Sequence, residues 1–278
     1  MSHQTIIDLH AHSTASDGEL TPTELVVKAV DNSVDILALT DHDTVSGLAE
    51  AQTAASKHNI TLINGIEFSA RWDNKTIHIV GLNIDAENKS IFDATIHLNK
   101  LREERAIKIG EKLEKVGIEN AYENTKKIAG DGTVTRQHFS QFLVNNGHAK
   151  SQADVFKRFL VNNKPGYVSV SWPSLEETIN NITNAGGVAV IAHPLRYKMT
   201  ATKLRKLILE FKDNGGKAIE VVTGNNNQNE ITTVTNYAKR YDIAGSVGSD
   251  YHNANTPWAQ LGKLLDLPQG LTPVWELW

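Results

Sequence analysis

Short apolar segments alternate with amphipathic helical segments along most of the chain, and this alternation restricts its fold more than any other feature. The predicted strands are Ile6–His12, Asp35–Thr40, Thr61–Ser69, Thr76–Leu82, Gly187–Ala192, Ala218–Val222 and Ile243–Gly248. The predicted helices are Pro22–Asn32, Ser46–His58, Leu175–Asn184, Ala201–Asp213 and Asn229–Tyr241. Repeated strand–helix units are typical of an α/β protein with a mostly parallel sheet, which is either open or closed into a barrel.

Residues 93–167 interrupt this rhythm. Ile96–Val116 has the spacing of a long amphipathic helix, and the segments after it show almost no strand pattern. We therefore predict an α/β body formed by residues 1–92 and 168–278, with residues 93–167 as a helical insertion that covers the substrate.

Charge separates the two parts as well, because residues 100–167 carry a net charge of +5 within a chain of net charge −4. A basic insertion above an acidic body suits an anion site above a cation site, although its charged helix fits a solvated surface equally well.

Composition excludes several classes of protein. The 278 residues contain no cysteine, which rules out disulfides, thiolate nucleophiles, Cys-type zinc sites and iron–sulfur clusters. The near balance of 28 basic and 32 acidic residues argues against extended nucleic-acid coating. The sequence shows neither an apolar run of about 18 residues nor a signal-peptide pattern. We therefore expect a cytoplasmic protein with no membrane contact, and we infer no obligatory protein partner.

Histidines and carboxylates recur at the ends of the predicted strands. His10 and His12 are two residues apart in one strand, so their side chains face the same way and form half of a metal site. Further residues of these types are Asp17, Asp41, His42, Asp43, Glu67, His78, His193, Asp250 and His252. Because most of them lie at or just beyond the carboxyl ends of strands, the rim where α/β folds place their sites, the pattern predicts a metal centre.

Six segments of the chain resemble the successive motifs of one known family. The segments DLHAHSTASDG, LTDHDT, GIEFSA, HIVGL, IAHPLRY and GSDYH are similar to those of the PHP (polymerase and histidinol phosphatase) superfamily. The resemblance covers essentially the whole chain. It implies a distorted (β/α)7 barrel with a polynuclear metal site for phosphoester hydrolysis.

The resemblance also implies a ligand set of nine residues for three divalent ions. The first ion would be held by His10, His12, Glu67 and Asp250, the second by Glu67, His78 and His193, and the third by Asp17, His42 and His252. Manganese is favoured by the family, and iron or zinc also suits imidazole and carboxylate ligands. Clustered cations can neutralise a phosphoryl group and lower the pKa of water, so we expect Asp17, His42, Glu67, His193, Asp250 and His252 to act in catalysis.

The remaining candidates surround this predicted centre. Asp41 is expected to orient a ligand imidazole and Asp43 to cap the following helix. Arg196 lies three residues after His193, where a guanidinium could hold a phosphate through two hydrogen bonds, although an exposed loop arginine is the alternative.

Three more substrate contacts are predicted in the insertion. Arg136 and His138 lie at a predicted helix start capped by Thr135, a position that favours anions, although an ordinary polar helix start fits as well. Lys164 marks the return to the body, where it either closes over the substrate or stays solvated.

Within the superfamily, the chain length, the insertion and the TRQHF and HPLRY segments resemble the 3′,5′-nucleoside bisphosphate phosphatase group. That group is closely similar to ribonuclease AM, a 5′→3′ exonuclease that acts on short RNAs. The resemblance implies that the partner is a phosphorylated nucleotide or a short single-stranded RNA. Histidinol-phosphate phosphatase is an alternative that the basic insertion disfavours, because its substrate is cationic. A non-catalytic, metal-stabilised accessory module is a further alternative, which the complete ligand set disfavours.

Overall fold

A computed structural model describes residues 5–224 and 226–278, and within them seven strands form one sheet in sequence order. The strands are β1 (Ile7–Asp8), β2 (Ile36–Leu39), β3 (Thr61–Trp72), β4 (Lys75–Leu82), β5 (Val188–Ile191), β6 (Ala218–Thr223) and β7 (Ala244–Gly248). The first and last strands meet, because Leu9 N donates to Val247 O at 3.1 Å and Ala11 bridges Tyr251. The predicted α/β barrel is therefore confirmed as a nearly closed, barrel-like sheet.

The regular part of the first strand is much shorter than predicted. Beyond Asp8, the chain no longer pairs with β2 in a regular ladder and instead bonds to the segment after β7. His12 N donates to Tyr251 O at 2.9 Å, and Asp250 N donates to His10 O at 2.8 Å. These bonds bring the two segments that carry ligand residues side by side.

One strand runs against the expected parallel direction. β4 is antiparallel to both β3 and β5, whereas the other neighbouring pairs are parallel. β3 and β4 are joined by the two-residue turn Asp73-Asn74, in which both residues have positive φ, as tight hairpin turns require. The reversal places the beginning of β4 at the rim formed by the carboxyl ends of the parallel strands.

The helices are α1 (Pro22–Asp31), α2 (Leu48–His58), α3 (Lys89–Glu114), α4 (Ala121–Ala129), α5 (Arg136–Asn145), α6 (Gln152–Val155), α7 (Leu175–Asn184), α8 (Ala201–Asp213) and α9 (Gln228–Tyr241). The first two and the last three pack against the outer face of the sheet, whereas α4 to α6 pack on one another and on α3. Alternate residues of β5 divide between two hydrophobic clusters: Val188 and Val190 pack with Val274 among strand residues, whereas Ala189 and Ile191 pack against the helices. In the part of the chain that the structure describes, no helix combines the length and apolar character needed to cross a bilayer.

Helices α3 to α6 correspond to the segment without strand pattern. α3 begins after Asn88, whose side chain accepts a hydrogen bond from Ser90 N at 2.9 Å, so the proposed boundary at residue 93 falls inside this helix. The later part of the segment has a hydrophobic cluster of its own, which includes Ile109, Phe139 and Leu143. The division into a metal-binding barrel and a substrate-binding flap stays a prediction.

Candidate metal centre

Glu67, in the middle of β3, lies at the centre of a buried group of polar side chains. Five imidazole nitrogens lie within 3.3 Å of its two carboxylate oxygens, those of His42 (2.9 Å), His78 (2.9 Å), His193 (3.1 Å), His10 (3.3 Å) and His12 (3.3 Å). His78 reaches this group because β4 is antiparallel, which puts the start of that strand beside the carboxylate. A single shared carboxylate is therefore in contact with five histidines from four different parts of the chain.

Two further carboxylates complete the group. Asp250 Oδ1 lies 3.1 Å from His12 Nε2 and 3.3 Å from His10 Nε2, and Asp17 Oδ1 lies 3.3 Å from His252 Nε2. Three sets of donor atoms have all their members within 4.8 Å of one another: His10, His12, Glu67 and Asp250; His42, Glu67 and His78; and His12, Asp17, His42 and His252. The structure thus brings all nine predicted ligand residues together, with His193 joined to the rest through Glu67.

The hydrogen bonding of this group fits bound cations. Among the described residues, five of its buried atoms have no hydrogen-bond partner: His12 Nδ1, Asp17 Oδ1, His42 Nδ1, Glu67 Oε2 and His193 Nδ1. His42 Nδ1 and Glu67 Oε2 lie only 2.9 Å apart, yet their orientation is not that of a hydrogen bond. An unsatisfied buried polar atom costs about 1–3 kcal/mol, and coordination of a divalent cation would remove this cost for Asp17 Oδ1, His42 Nδ1 and Glu67 Oε2. His12 and His193 instead face Glu67 with their Nε2 atoms, so their Nδ1 atoms point away from it. Imidazole nitrogens and carboxylate oxygens suit manganese, iron or zinc.

Burial and mutual proximity shift the acid–base equilibria of the group. Burial alone would raise the pKa of Glu67, but the neighbouring imidazoles hold it well below its usual range. Arg196 and the imidazoles likewise hold the pKa of Asp250 well below its usual value against the effect of burial. Burial lowers the pKa of His12 to about 3, whereas nearby carboxylates overcome burial and raise the pKa of His252 to about 9. The carboxylates are therefore ionised at neutral pH, as metal ligands must be.

Two candidate ligands lie at sharp backbone turns. His193 follows β5 with φ of 29°, and Asp250 follows β7 with φ of 56°. Such conformations cost non-glycine residues about 1–3 kcal/mol and cluster at functional sites. Gly248 allows the end of β7 to lie directly against His10 and Glu220. A Cβ at this position would lie 2.3 Å from His10 Cβ and 3.1 Å from Glu220 Oε1.

Glu220 is a residue of the site that the sequence pattern did not reveal. It is buried in β6, where its Oε1 lies 2.5 Å from His10 Nδ1 and its Oε2 accepts a hydrogen bond from His193 N at 2.5 Å. Glu220 therefore orients the imidazole of one candidate ligand and the backbone of another. The available signal was a carboxylate inside an otherwise apolar strand, since burial of an unpaired charge is costly.

We expect Glu220→Gln to reduce metal affinity and kcat/KM by about 10- to 100-fold, because the amide is a weaker acceptor for His10 and alters its orientation. The measurement is the metal content of the purified variant together with steady-state kinetics. Glu119→Gln, which changes an exposed carboxylate remote from the site, is the matched control. Full metal content and wild-type kinetics in Glu220→Gln would contradict the assigned role.

Asp41 has a different contact from the one predicted. It is buried, and its carboxylate accepts hydrogen bonds from Ser13 N (2.8 Å), Ser13 Oγ (2.6 Å) and Ser16 Oγ (2.6 Å). Burial raises its pKa to about 6 despite these bonds. Asp41 thus fixes the loop that carries the candidate ligand Asp17, and its hydrogen bonds do not go to an imidazole.

Asp43 does not cap a helix, contrary to the expectation. Its carboxylate accepts hydrogen bonds from Ser69 N and from Arg102 Nε, both at 2.6 Å, and α2 begins after Gly47 instead. The ion pair is buried, with side-chain exposures of 7% for Arg102 and 0% for Asp43. It connects the loop after β2 to the long helix α3.

A cavity of about 810 Å³ opens in front of the metal centre, and two of the four predicted substrate contacts line it. Arg136 projects from the first residue of α5, with its guanidinium 5.7 Å from the ring of Phe156. Arg196 also lines the cavity, but its guanidinium contacts Asp250 Oδ2. The guanidinium of Arg196 is therefore paired with the carboxylate of Asp250. The sequence had predicted a guanidinium available to hold a phosphate.

The other two predicted contacts lie elsewhere. His138 is buried, and its Nδ1 accepts a hydrogen bond from Thr135 N at 3.1 Å, which completes a capping box at the start of α5. Lys164 is exposed in a turn. Among the described residues, neither of them lines the cavity, so the structure does not support a contact between either residue and the substrate.

Arg102 and Arg105 of α3 also line the cavity, together with Arg136, and we call these three residues the arginine wall. The guanidinium carbons of the first two lie over the ring of Trp172, at 5.4 and 5.7 Å from its centroid. Arg105 Nε is buried without a hydrogen-bond partner, and burial and the two neighbouring guanidinium groups lower the Arg105 pKa to about 9. Arg102 is already paired with Asp43, whereas neither Arg105 nor Arg136 has an ion pair among the described residues, so these two guanidinium groups form a candidate site for an anion.

Comparison with known proteins places this site in a family. The sequence profile described as the PHP domain matches residues 8–223. The chain is 46% identical over 269 residues to a 5′-3′ exoribonuclease of Haemophilus influenzae, a match that covers 97% of each chain. It is 40% identical over 271 residues to a 3′,5′-nucleoside bisphosphate phosphatase of Chromobacterium violaceum, covering 97% of this chain and 95% of the relative.

A solved structure agrees with the sequence comparisons. An amidohydrolase from Chromobacterium violaceum, crystallised with sulfate and no metal, superposes with a TM-score of 0.94 at 40% identity and covers 98% of this chain and 95% of its own. The shared barrel, the profile match and the nine converging side chains lead to one conclusion: the chain belongs to the PHP family of metal-dependent phosphoesterases.

Proposed function

We propose that this protein uses divalent metal ions to remove the 3′-phosphate from nucleoside 3′,5′-bisphosphates and to release 5′-terminal nucleotides from short single-stranded RNA. The observation that carries this proposal is the presence of the metal centre and the arginine wall in one cavity. The names of the two relatives, a 5′-3′ exoribonuclease and a 3′,5′-nucleoside bisphosphate phosphatase, support the same pair of activities.

The two activities need the same arrangement of groups. In each case a 3′-phosphoester is cleaved at a nucleotide that also carries a 5′-phosphate. The scissile group would lie at the metal centre, and the 5′-phosphate would bind the arginine wall. A volume of about 810 Å³ is in the range typical of small-molecule sites and accommodates a nucleotide. A cationic substrate such as histidinol phosphate would place its ammonium group in a cavity lined by arginines, which disfavours it.

The residues of the centre have distinct tasks in this proposal. When bound, the divalent ions, which we propose to be three and to be manganese, would neutralise the phosphoryl charge and activate water. Glu67 would hold two ions close together, with His10, His12 and Asp250 on one side and His78 and His193 on the other. Asp17, His42 and His252 would hold the third. Arg196 keeps Asp250 in place, and Glu220 keeps His10 in place.

Turnover of three substrates by the manganese-loaded protein tests the proposal. These are adenosine 3′,5′-bisphosphate, a 5′-phosphorylated RNA pentamer and histidinol phosphate, assayed side by side for release of phosphate and nucleotides. We expect the first two to be hydrolysed and the third to be inert. Hydrolysis of histidinol phosphate alone would overturn the substrate assignment, and an absence of turnover on all three would favour an accessory module.

The arginine wall predicts how substrates without a 5′-phosphate behave. We expect Arg105→Ala and Arg136→Ala each to raise KM for adenosine 3′,5′-bisphosphate by about 10- to 100-fold, because a charge-assisted hydrogen bond contributes about 1.5–3 kcal/mol. Hydrolysis of adenosine 3′-monophosphate, which lacks the 5′-phosphate, should change little. Arg158→Ala, which removes an arginine paired with Asp154 outside the cavity, is the control. An equal loss on both substrates would remove these residues from 5′-phosphate binding.

A further inference from the structure

An exposed tryptophan lies at the edge of the same cavity. Trp258 follows β7 in the chain, six residues after the ligand His252, and it lines the cavity with 59% of its surface exposed. Two other aromatic rings of the cavity have cations over them, because Arg102 and Arg105 lie over Trp172 and Arg136 lies over Phe156. Tyr167, which also lines the cavity, is half-buried, so Trp258 is the most exposed aromatic side chain among the described lining residues. The indole of Trp258 is thus an apolar surface presented to the space where a substrate would bind.

The backbone that carries this indole is firmly held. Ala254 N donates to Glu19 Oε1 at 2.5 Å, and Ala259 N donates to Thr256 O at 3.1 Å. Ala259 is itself buried. The segment therefore has a defined position although its largest side chain is exposed.

Close packing against the end of β6 adds to this restraint. A Cβ on Gly224 would lie 2.8 Å from Trp258 O and 2.5 Å from Ser249 O, so the two segments touch at the backbone. An exposed ring on a fixed backbone is suited to serve as a preorganised contact surface, since little conformational freedom is lost when a ligand covers it.

We propose that Trp258 is the stacking platform for the nucleobase of the substrate, an inference that rests on the proposed function. Once the metal centre and the arginine wall hold the two phosphates, the base is the part of a nucleotide that still lacks a partner. Nucleobases stack on aromatic side chains with little dependence on their identity, because each base has a π face. Trp258 therefore makes the protein select nucleotides over other bisphosphates without selecting one base.

Kinetics with and without the base test this role. The substrates are adenosine 3′,5′-bisphosphate and the base-free 1-deoxyribose 3,5-bisphosphate, assayed with the wild type, Trp258→Ala and Trp258→Phe. We expect Trp258→Ala to raise KM for the adenosine substrate by about 10- to 100-fold and to leave the base-free substrate unaffected. Trp258→Phe, which keeps a smaller aromatic face, should retain most of the affinity. Leu265→Ala removes a side chain of similar exposure (56%) outside the cavity and should change neither substrate.

Binding of the same two compounds is measured by calorimetry on the same variants. Equal effects of Trp258→Ala on both compounds, or no effect on either, would overturn the stacking role. A wild type that binds both compounds but hydrolyses neither would overturn the proposed function. The ratio of the two binding constants would then still decide whether Trp258 contacts the base.

Discussion

Replacement of Glu67 by glutamine is expected to lower kcat/KM by roughly 10²- to 10⁴-fold and to reduce the number of metal ions bound per chain. Glu67 is fully buried, and its two oxygens are in contact with five imidazoles, so it is the carboxylate that two proposed metal positions share. Removal of one partner from a buried charge cluster costs about 3–5 kcal/mol. Glutamine has nearly the same shape, so the packing of β3 is retained and the loss reports on charge.

The measurements are plasma mass spectrometry of the purified variant and steady-state kinetics on adenosine 3′,5′-bisphosphate. Glu87→Gln is the control, because it neutralises an exposed carboxylate between β4 and α3. Circular dichroism establishes whether Glu67→Gln keeps the fold. A folded variant with full metal content and wild-type turnover would show that Glu67 is not a shared ligand.

Metal removal is the second large effect. We expect a chelator to abolish turnover and to lower Tm by roughly 10 °C, with both restored by manganese. A ligand present at 1,000 times its Kd stabilises the native state by about 4 kcal/mol, and about 1 kcal/mol corresponds to 2–4 °C in a domain of this size class. The fold should survive, because none of its hydrophobic clusters includes a proposed ligand.

The affinity for metal should depend on pH in a defined direction. In the metal-free chain, nearby carboxylates raise the pKa of His252 to about 9, so its imidazole carries a proton at neutral pH. A metal ion binds the neutral imidazole and must displace that proton. The apparent affinity is therefore expected to fall as the pH decreases below about 9, which calorimetry in buffers of different ionisation enthalpy measures as proton release.

Turnover that persists after complete chelation would contradict the metal-dependent mechanism.

Much of this molecule could be predicted from local patterns. Strand and helix periodicity predicted the α/β class, and α7 and α8 have the predicted bounds. The nine ligand positions were assigned from the family motifs, and the structure places these residues at one rim. Most of these residues converge because the carboxyl ends of neighbouring strands meet at the same edge of a sheet. Glu67 inside β3 and His78 in the antiparallel strand β4 do not follow this rule, and the role of the nine residues as ligands stays a prediction.

The contacts that support the candidate ligands and the arginine wall depended on the tertiary structure. Glu220 meets His10 across 210 positions of the chain, and Asp43 binds Arg102 of α3 where a helix cap was expected. The reversal of β4 and the presence of Arg105 in the cavity were equally invisible in the sequence. Periodicity shows which face of an element is buried, but it contains no information about which distant side chain lies opposite that face. That pairing is decided only when the strands and helices pack together, so the sequence by itself determined the candidate ligands and the tertiary structure decided their supporting partners.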